Sequence, residues 1–197
     1  MVQASSFSTV TYNGFVADNT IVQNNIQTNP SYFAKYVGWN MVFDRYNASR
    51  VFLPNNVYAA AVMARTDRLS NKWEAPAGID RGLIASGKQN VDLTPKDGGR
   101  LYDLNLNTIK FVNGIGNVIW GQKTAQLKAT ARNRLNVRRC LLHIENNVED
   151  ILNTFLFRGN TSKERERASS MVNSFMTTVL TGGGVQSYKV VCDSSNN

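Results

Sequence analysis

The sequence predicts a mixed α/β (α+β) chain, and three observations carry that prediction. Two pairs of β-rich runs, within residues 39–53 and 108–120, are each split by turn-forming residues. Two later stretches keep apolar residues three and four apart over many turns. Thr-Pro and Thr-x-x-Glu signals stand where helices should begin.

In chain order, residues 1–30 are rich in Asn, Ser, Thr and Gln. The short runs Phe7–Tyr12 and Gly14–Ala17 predict strand and loop there. Trp39–Phe43 and Arg50–Leu53 predict two strands around a turn at Asp44–Ser49. Pro54-Asn55-Asn56 ends the second run and can cap a helix from Val57 to about Asp67. That helix is Ala-rich and mostly apolar, so it is expected to be buried. Asp67–Gly82 reads as irregular, because Ala75-Pro76-Ala77-Gly78 cannot continue a helix. Thr94-Pro95-Lys96-Asp97 opens a short helix to about Leu104, interrupted or delayed at Gly98-Gly99. Thr108–Val112 and Asn117–Trp120 predict strands joined by Asn113-Gly114-Ile115-Gly116.

Leu135–Phe157 predicts a long helix, with Val137, Leu141, Ile144, Val148, Ile151, Leu152 and Phe155 on one stripe. Ser162–Leu180 predicts another, with Ala168, Met171, Val172, Phe175, Met176, Val179 and Leu180 at the same spacing. Thr161 and Glu164 have capping-box spacing, worth ~1 kcal/mol. Gly182-Gly183-Gly184 ends that helix. Tyr188–Cys192 is β-rich and reads as a core strand. No repeat or low-complexity tract divides the chain, so residues 1–197 are expected to form a single domain.

Composition narrows the function. The 197 residues are 42% hydrophobic with a net charge of +8, which excludes an intrinsically disordered chain. No apolar run approaches the ~20 residues of a membrane span. The first residues show no basic segment followed by an apolar one, so no secretion signal is expected. Cys140 and Cys192 form no metal-ligand pair and no disulfide framework, which predicts an intracellular, reduced protein. One histidine, His143, excludes a multi-histidine centre, and no carboxylate pair stands out for acid–base work. No catalytic, cofactor-binding or metal-binding residue is predicted, and His143 and both cysteines read as packing residues.

Two stretches come near to phosphate chemistry. Gly116-Asn-Val-Ile-Trp-Gly121-Gln-Lys-Thr124 lacks the lysine directly after its second glycine, and Val118, Ile119 and Trp120 stiffen what should be a pliant loop. It reads as a strand ending in a tight turn. Gly114-Ile-Gly116 precedes a strand, so it is not a dinucleotide fingerprint. The basic run Lys110, Lys123, Lys128, Arg132, Arg134, Arg138, Arg139 meets no acid until Glu145. A nucleic-acid module is one reading of it, weakened by the lack of interleaved aromatics or a reading helix. An assembly interface is the other. Arg138 and Arg139 sit near a helix N-terminus, against the helix dipole, which suggests acidic partners on another chain.

Several stretches together resemble the sheath protein of contractile phage tails. They are Ala64-Arg-Thr-Asp67, Trp73-Glu-Ala-Pro-Ala-Gly-Ile-Asp-Arg-Gly82, Leu106-Asn-Thr108, Val118–Thr124, Arg134–Arg139 and Tyr188–Asn197. The resemblance covers residues 38–197, with 1–37 matching weakly, and is nearest to sheaths of T-even-like myophages. R-type pyocins and type VI secretion sheaths carry the same domain type.

The resemblance implies a non-enzymatic structural subunit built on a β-sheet flanked by helices, as in the sheath C-terminal domain. Outer domains and a terminal arm are expected to be missing from this chain. Implied partners are other sheath subunits in stacked, hexameric rings, the tail tube protein, and baseplate and terminator proteins. No cofactor and no specific nucleic acid are implied. The implied location is the virion tail, assembled in the host cytoplasm. By charge, Lys163, Arg165 and Arg167 are the candidates for facing the tube. Arg132, Arg134, Arg138 and Arg139 are the candidates for pairing between subunits. Trp73, Pro76, Gly78, Arg81 and Gly82, with Trp120 and Gly121, read as structural motif residues.

Overall fold

Hairpins and helices alternate along the chain in this computed structural model, which describes residues 29–85, 87–91 and 93–193. β1 (Trp39–Asp44) pairs antiparallel with β2 (Ser49–Pro54), from Trp39 opposite Pro54 to Asp44 opposite Ser49. Asp44 shapes the turn: its carboxylate accepts from the Tyr46 N–H at 2.9 Å and the Asn47 amide at 2.6 Å. Those bonds, the Asn47 side chain first, hold its pKa below the usual carboxylate value. α1 (Asn55–Leu69) follows directly, then the single helical turn α2 (Gly78–Arg81) and α3 (Pro95–Asp103). β3 (Ile109–Val112) and β4 (Gly116–Ile119) form the second antiparallel hairpin. α4 (Leu135–Asn153) and α5 (Ser162–Thr181) complete the order.

Backbone contacts group into two compact units, residues 1–138 and 139–197. In the first, Ala34, Tyr36, Ala59, Val62, Ile84, Ile109, Ile119 and Leu135 make the main buried cluster. Val37, Leu101 and Leu106 make a smaller one. Single bridges extend both hairpins: Gln89 lies beside Asn40 on β1, and Leu83 beside Val118 on β4. In the second unit, α5 buries Ala168, Val172, Met176 and Val179. His143 meets Phe175 edge to face at 5.8 Å, and the buried Cys140 thiol donates to the Gly184 carbonyl at 3.6 Å. Burial pushes that thiol's pKa up.

Helix signals acted where they were read. The Thr94 hydroxyl oxygen accepts from the Asp97 N–H and caps α3. Thr161 does the same for α5 through Glu164. Gly183, at φ +76°, closes α5.

Other expectations are corrected. α1 runs to Leu69 and buries only the stripe Asn55, Ala59, Val62 and Thr66, leaving Val57 and three alanines exposed. Asn55 is not a cap; its side chain points into the fold. α3 passes through Gly98 and Gly99 unbroken. α4 ends at Asn153, because the next turn tightens into three-residue bonds, Phe155 N–H to Leu152 C=O and Leu156 N–H to Asn153 C=O. Its apolar stripe is half-buried, and Leu152 is exposed. Tyr188–Cys192 is neither strand nor core: no strand pairs with it among the described residues, and Cys192 is half-buried. The Tyr188 hydroxyl instead meets Thr177 at 2.7 Å and the Asn173 carbonyl at 3.2 Å. The strands predicted at Phe7–Tyr12 and Gly14–Ala17 lie outside the described residues.

Two glycines of opposite character test this packing. A Cβ on Gly82 would stand 2.7 Å from the carbonyl oxygens of Gly78 and Ile119, which are fixed backbone. Gly82→Ala is expected to cost at least ~1–3 kcal/mol in urea unfolding. Gly99 has open space around it inside α3, so Gly99→Ala is expected to add ~0.4–1 kcal/mol. A second test is pH. Lys35 is 5% exposed, and burial takes its pKa from 10.5 down to about 8. Below pH 8 it is charged folded and unfolded, so the desolvation cost is fully present; it disappears as pH rises toward 10.5. The stability gain of Lys35→Met over wild type should therefore be largest below pH 8 and shrink toward pH 10.5.

Candidate assembly interface

The basic run does not form one patch. Lys110 lies over the Trp120 ring at 4.7 Å, and Lys123 over the Tyr102 ring at 4.1 Å. Lys123 also donates to the Tyr102 carbonyl at 2.8 Å, and desolvation lowers its pKa. Arg134, exposed, lies over the same ring at 5.8 Å and donates to the Tyr102 hydroxyl. Arg138 is 3% exposed and stacks on Tyr32 at 3.6 Å. Its charge is used inside this chain, against the expectation of an open pairing role. Arg132 is exposed on the 3-10 turn Ala131–Asn133, and Arg139 is half-buried in the second unit.

The aromatics missed in the sequence are thus present, and all but Trp120 come from outside the run. Their faces already hold the chain's own cations.

The expected tube-facing residues open α5. Lys163 and Arg167 are exposed and four residues apart, so they share a face. Arg165 is half-buried off that face and donates to Asn160 Oδ1 at 2.8 Å and Ser162 Oγ at 3.3 Å. Glu164 pairs with Arg158 at 3.2 Å.

The structural motif residues form one connected piece of the first unit. Arg81 pairs with Glu74 at 2.6 Å, and Arg65 donates to the Arg81 and Leu83 carbonyls at 2.5 and 2.6 Å. Pro76 is fully buried, and Gly78 takes φ +85°. The Trp73 carbonyl accepts from Asn136 at 3.4 Å. Ile119 N–H donates to the Gly82 carbonyl at 2.9 Å, which lays this loop against β4. Trp120 is exposed beside Gly121. A Cβ on Gly121 would stand 2.6 Å from Asn107 Oδ1.

Sequence reasoning missed the groove beside β3. It has a volume of about 1000 Å³, and Tyr102, Phe111 and Trp120 with Lys88 and Lys110 are among its lining. Among the described residues β3 pairs with β4 on one side only, and an extended segment could add along its other edge beside the groove. Among the described residues no cluster of His, Cys, Asp and Glu could hold a metal ion, and no helix is long and apolar enough to cross a membrane.

The resemblance read from the sequence holds. The chain is 31% identical to the tail sheath protein of Vibrio phage KVP40 over 89% of its own length. It is 29% identical to the tail sheath protein of Enterobacteria phage T4 over 92%. It spans about a quarter of the length of these curated relatives, 26% and 28%. No protein-family model matches it. Among solved structures, it resembles an extracellular contractile injection system sheath in the contracted state, with TM-score 0.78 and 20% identity, over 96% of this chain and 50% of that one. The contracted helical sheath of the anti-feeding prophage gives TM-score 0.72 and 19% identity, over 93% and 54%. The mixed α/β fold is therefore that of contractile sheath subunits.

Asn107 tests what holds this region. Its side chain joins the Lys35 and Lys123 carbonyls and the Lys123 N–H at 3.0, 2.8 and 2.7 Å. Asn107→Ala is expected to cost ~2–3 kcal/mol in urea unfolding, because these buried groups lose their partner.

Proposed function

We propose that the chain is a non-enzymatic structural subunit of a contractile tail sheath. It assembles helically around a tail tube and contracts to drive the tube through the host envelope during genome delivery. The observation that carries this reading is the match to phage tail sheath proteins along nearly nine-tenths of the chain. The phage reading is favoured over pyocin and type VI sheaths because curated relatives at 27–31% identity are phage proteins. Its partners are further sheath subunits in stacked hexameric rings, the tube, the baseplate and the tail terminator. Its place is the virion tail, after assembly in the host cytoplasm.

The mechanism needs no nucleotide. A head-to-tail contact that does not close gives a helical polymer. Rings stacked in an extended state store free energy behind a kinetic barrier until the baseplate releases them. Arms of neighbouring subunits add strands to the sheet of this domain, and the β3 edge, unpaired among the described residues, is with its groove the receiving surface we assign. Contact with the tube must break during contraction. Exposed ion pairs at ~0.2–1 kcal/mol suit that, with repetition supplying the total hold. Lys163 and Arg167 on their shared face, with Arg165 beside them, supply the tube-facing charges. Arg132, Arg134 and Arg139 are the candidates for pairing between subunits. A nucleic-acid role is disfavoured because Tyr32, Tyr102 and Trp120 already hold cations.

Electron microscopy of the purified chain should show tubular polymer. Steeply salt-dependent binding to generic DNA without polymer would overturn the proposal. Reversing Lys163, Arg165 and Arg167 to Glu should leave polymer but abolish assembly around the tube; normal tube-filled tails would move the tube contact elsewhere.

A further inference from the structure

We infer that the turn between α4 and α5 presents a preformed aromatic knob, Phe157, which seats in an apolar, acid-rimmed pocket on the tail tube. The inference rests on the sheath reading for the identity of the partner. It adds an apolar anchor to the charges already assigned to the tube contact.

The turn lies at one end of the second unit. His143 meets Phe175 and Cys140 meets Gly184, so α4 and α5 run antiparallel and the chain reverses between them. Tight backbone bonds build the reversal: Phe155 N–H to Leu152 C=O at 2.9 Å, Leu156 N–H to Asn153 C=O at 3.3 Å, and Arg158 N–H to Phe155 C=O at 3.2 Å. Phe157 stands among them at φ +65°, where glycine and asparagine are ordinary and a bulky side chain is strained. Its ring is fully exposed, and Leu156 beside it is 60% exposed. A lone exposed apolar residue is common on a protein surface. One held in water by a strained backbone, with no contact among the described residues to repay it, points to a contact outside the chain.

Arg158 fastens the knob in place. Its Nε donates to the Thr154 carbonyl at 3.0 Å, its guanidinium lies over the Phe155 ring at 5.4 Å, and it pairs with Glu164 at 3.2 Å. That pair ties the residue after Phe157 to the residue after Lys163, so the ring and the first cation of α5 share one end of the unit. The Thr161 hydroxyl oxygen accepts from the Glu164 N–H, and Arg165 holds Asn160. A ring on so fixed a turn needs little ordering to bind.

The charges around the ring describe its partner. Residues 153–167 hold four basic and two acidic residues. One of the acids, Glu164, is already matched by Arg158, while Lys163 and Arg167 are exposed without an ion pair among the described residues. A complementary surface therefore carries carboxylates around an apolar pocket. Exposed Glu166, with Glu149 and Asp150 on α4, would repel a continuous polyanion. A single ring is also no stacking platform for successive bases. A protein pocket with its acids opposite Lys163 and Arg167 avoids both difficulties. There the cations attract, and the ring sets the position at which the subunit settles.

Co-sedimentation with tail tubes of the same phage tests this. Wild type should pellet with tubes, less so as salt rises. Phe157→Asn removes the ring and suits φ +65°. It should be at least as stable as wild type in urea and form the same polymer by electron microscopy. Its tube affinity should fall about tenfold with the salt dependence kept. Phe157→Tyr should recover most of that affinity. Lys163→Gln with Arg167→Gln should instead flatten the salt dependence. Tube binding unchanged in Phe157→Asn while the double variant loses affinity overturns the knob and leaves the tube-facing charges standing. A wild type that polymerises but ignores tubes overturns the tube contact, and the knob with it, without touching the sheath reading. A loss of urea stability in Phe157→Asn makes the ring structural, and a loss of polymer makes its partner a second copy. Weakened binding to generic DNA or anionic vesicles makes the partner a polyanion. Each of these three results overturns the proposal.

Discussion

Asn107 has no exposure and sits where three segments meet, reaching the Lys35 carbonyl, the Lys123 carbonyl and the Lys123 N–H with a single amide. Similar amides recur through the first unit. Asn55 donates to the Val37 carbonyl and accepts from Asn40, each at 2.5 Å. Asn117 donates to the Gly87 carbonyl at 2.6 Å and accepts from Gln89 at 3.1 Å. Asn105 ties down the Gln126 carbonyl at 2.9 Å. With two hairpins too short to satisfy the irregular segments between them, buried backbone groups need partners from somewhere. Carboxamides supply both a donor and an acceptor without a charge to desolvate, which is why they can stand inside. Neighbouring features answer to them: Gly121 is a glycine because Asn107 occupies the place of its Cβ.

That constraint explains what the sequence reveals and what it hides. Both hairpins, the Thr94 and Thr161 caps and the glycine stop after α5 follow from local rules, and local rules acted where nothing tertiary opposed them. The buried amides were invisible because asparagine in sequence signals turns and surface. α1 departs from its expected burial because an alanine-rich sequence looks apolar all round, while only the Ala59–Val62 stripe meets a core. Tyr188–Cys192 has strand composition, but β structure needs a neighbouring strand and none is present among the described residues. The basic run could be counted in sequence, yet its aromatic partners Tyr32 and Tyr102 lie far away along the chain. The groove beside β3 is likewise built from segments that only folding brings together.

The electrostatics then take a definite form. Lys110, Lys123 and Arg138 are each held on an aromatic face, which fixes them in place and lowers their value as general anion binders. Cations left to act outward are dispersed, among them Arg45 and Arg50 on the hairpin, Arg132 on its turn, and Lys163 and Arg167 at the start of α5. Dispersed charges on separate surfaces suit many different contacts with protein neighbours better than one continuous contact with a polyanion. They also steer encounter and register more than they add affinity.

A sheath subunit faces two opposed demands: the lattice must hold for as long as the extended state is stored, and it must rearrange without tearing when released. The strand addition proposed along the β3 edge would meet the first, because main-chain hydrogen bonds tie neighbours together whatever their side chains do. Exposed ion pairs and solvent-facing rings meet the second, since each contributes little and can be exchanged for another. The division of charge between the two units fits this arrangement: residues 1–138 carry the whole excess and residues 139–197 are balanced. In the proposed sheath, repulsion between the basic units would oppose the contacts that hold the lattice, and a barrier between the extended and contracted states would keep it extended until a trigger at one end lowers it.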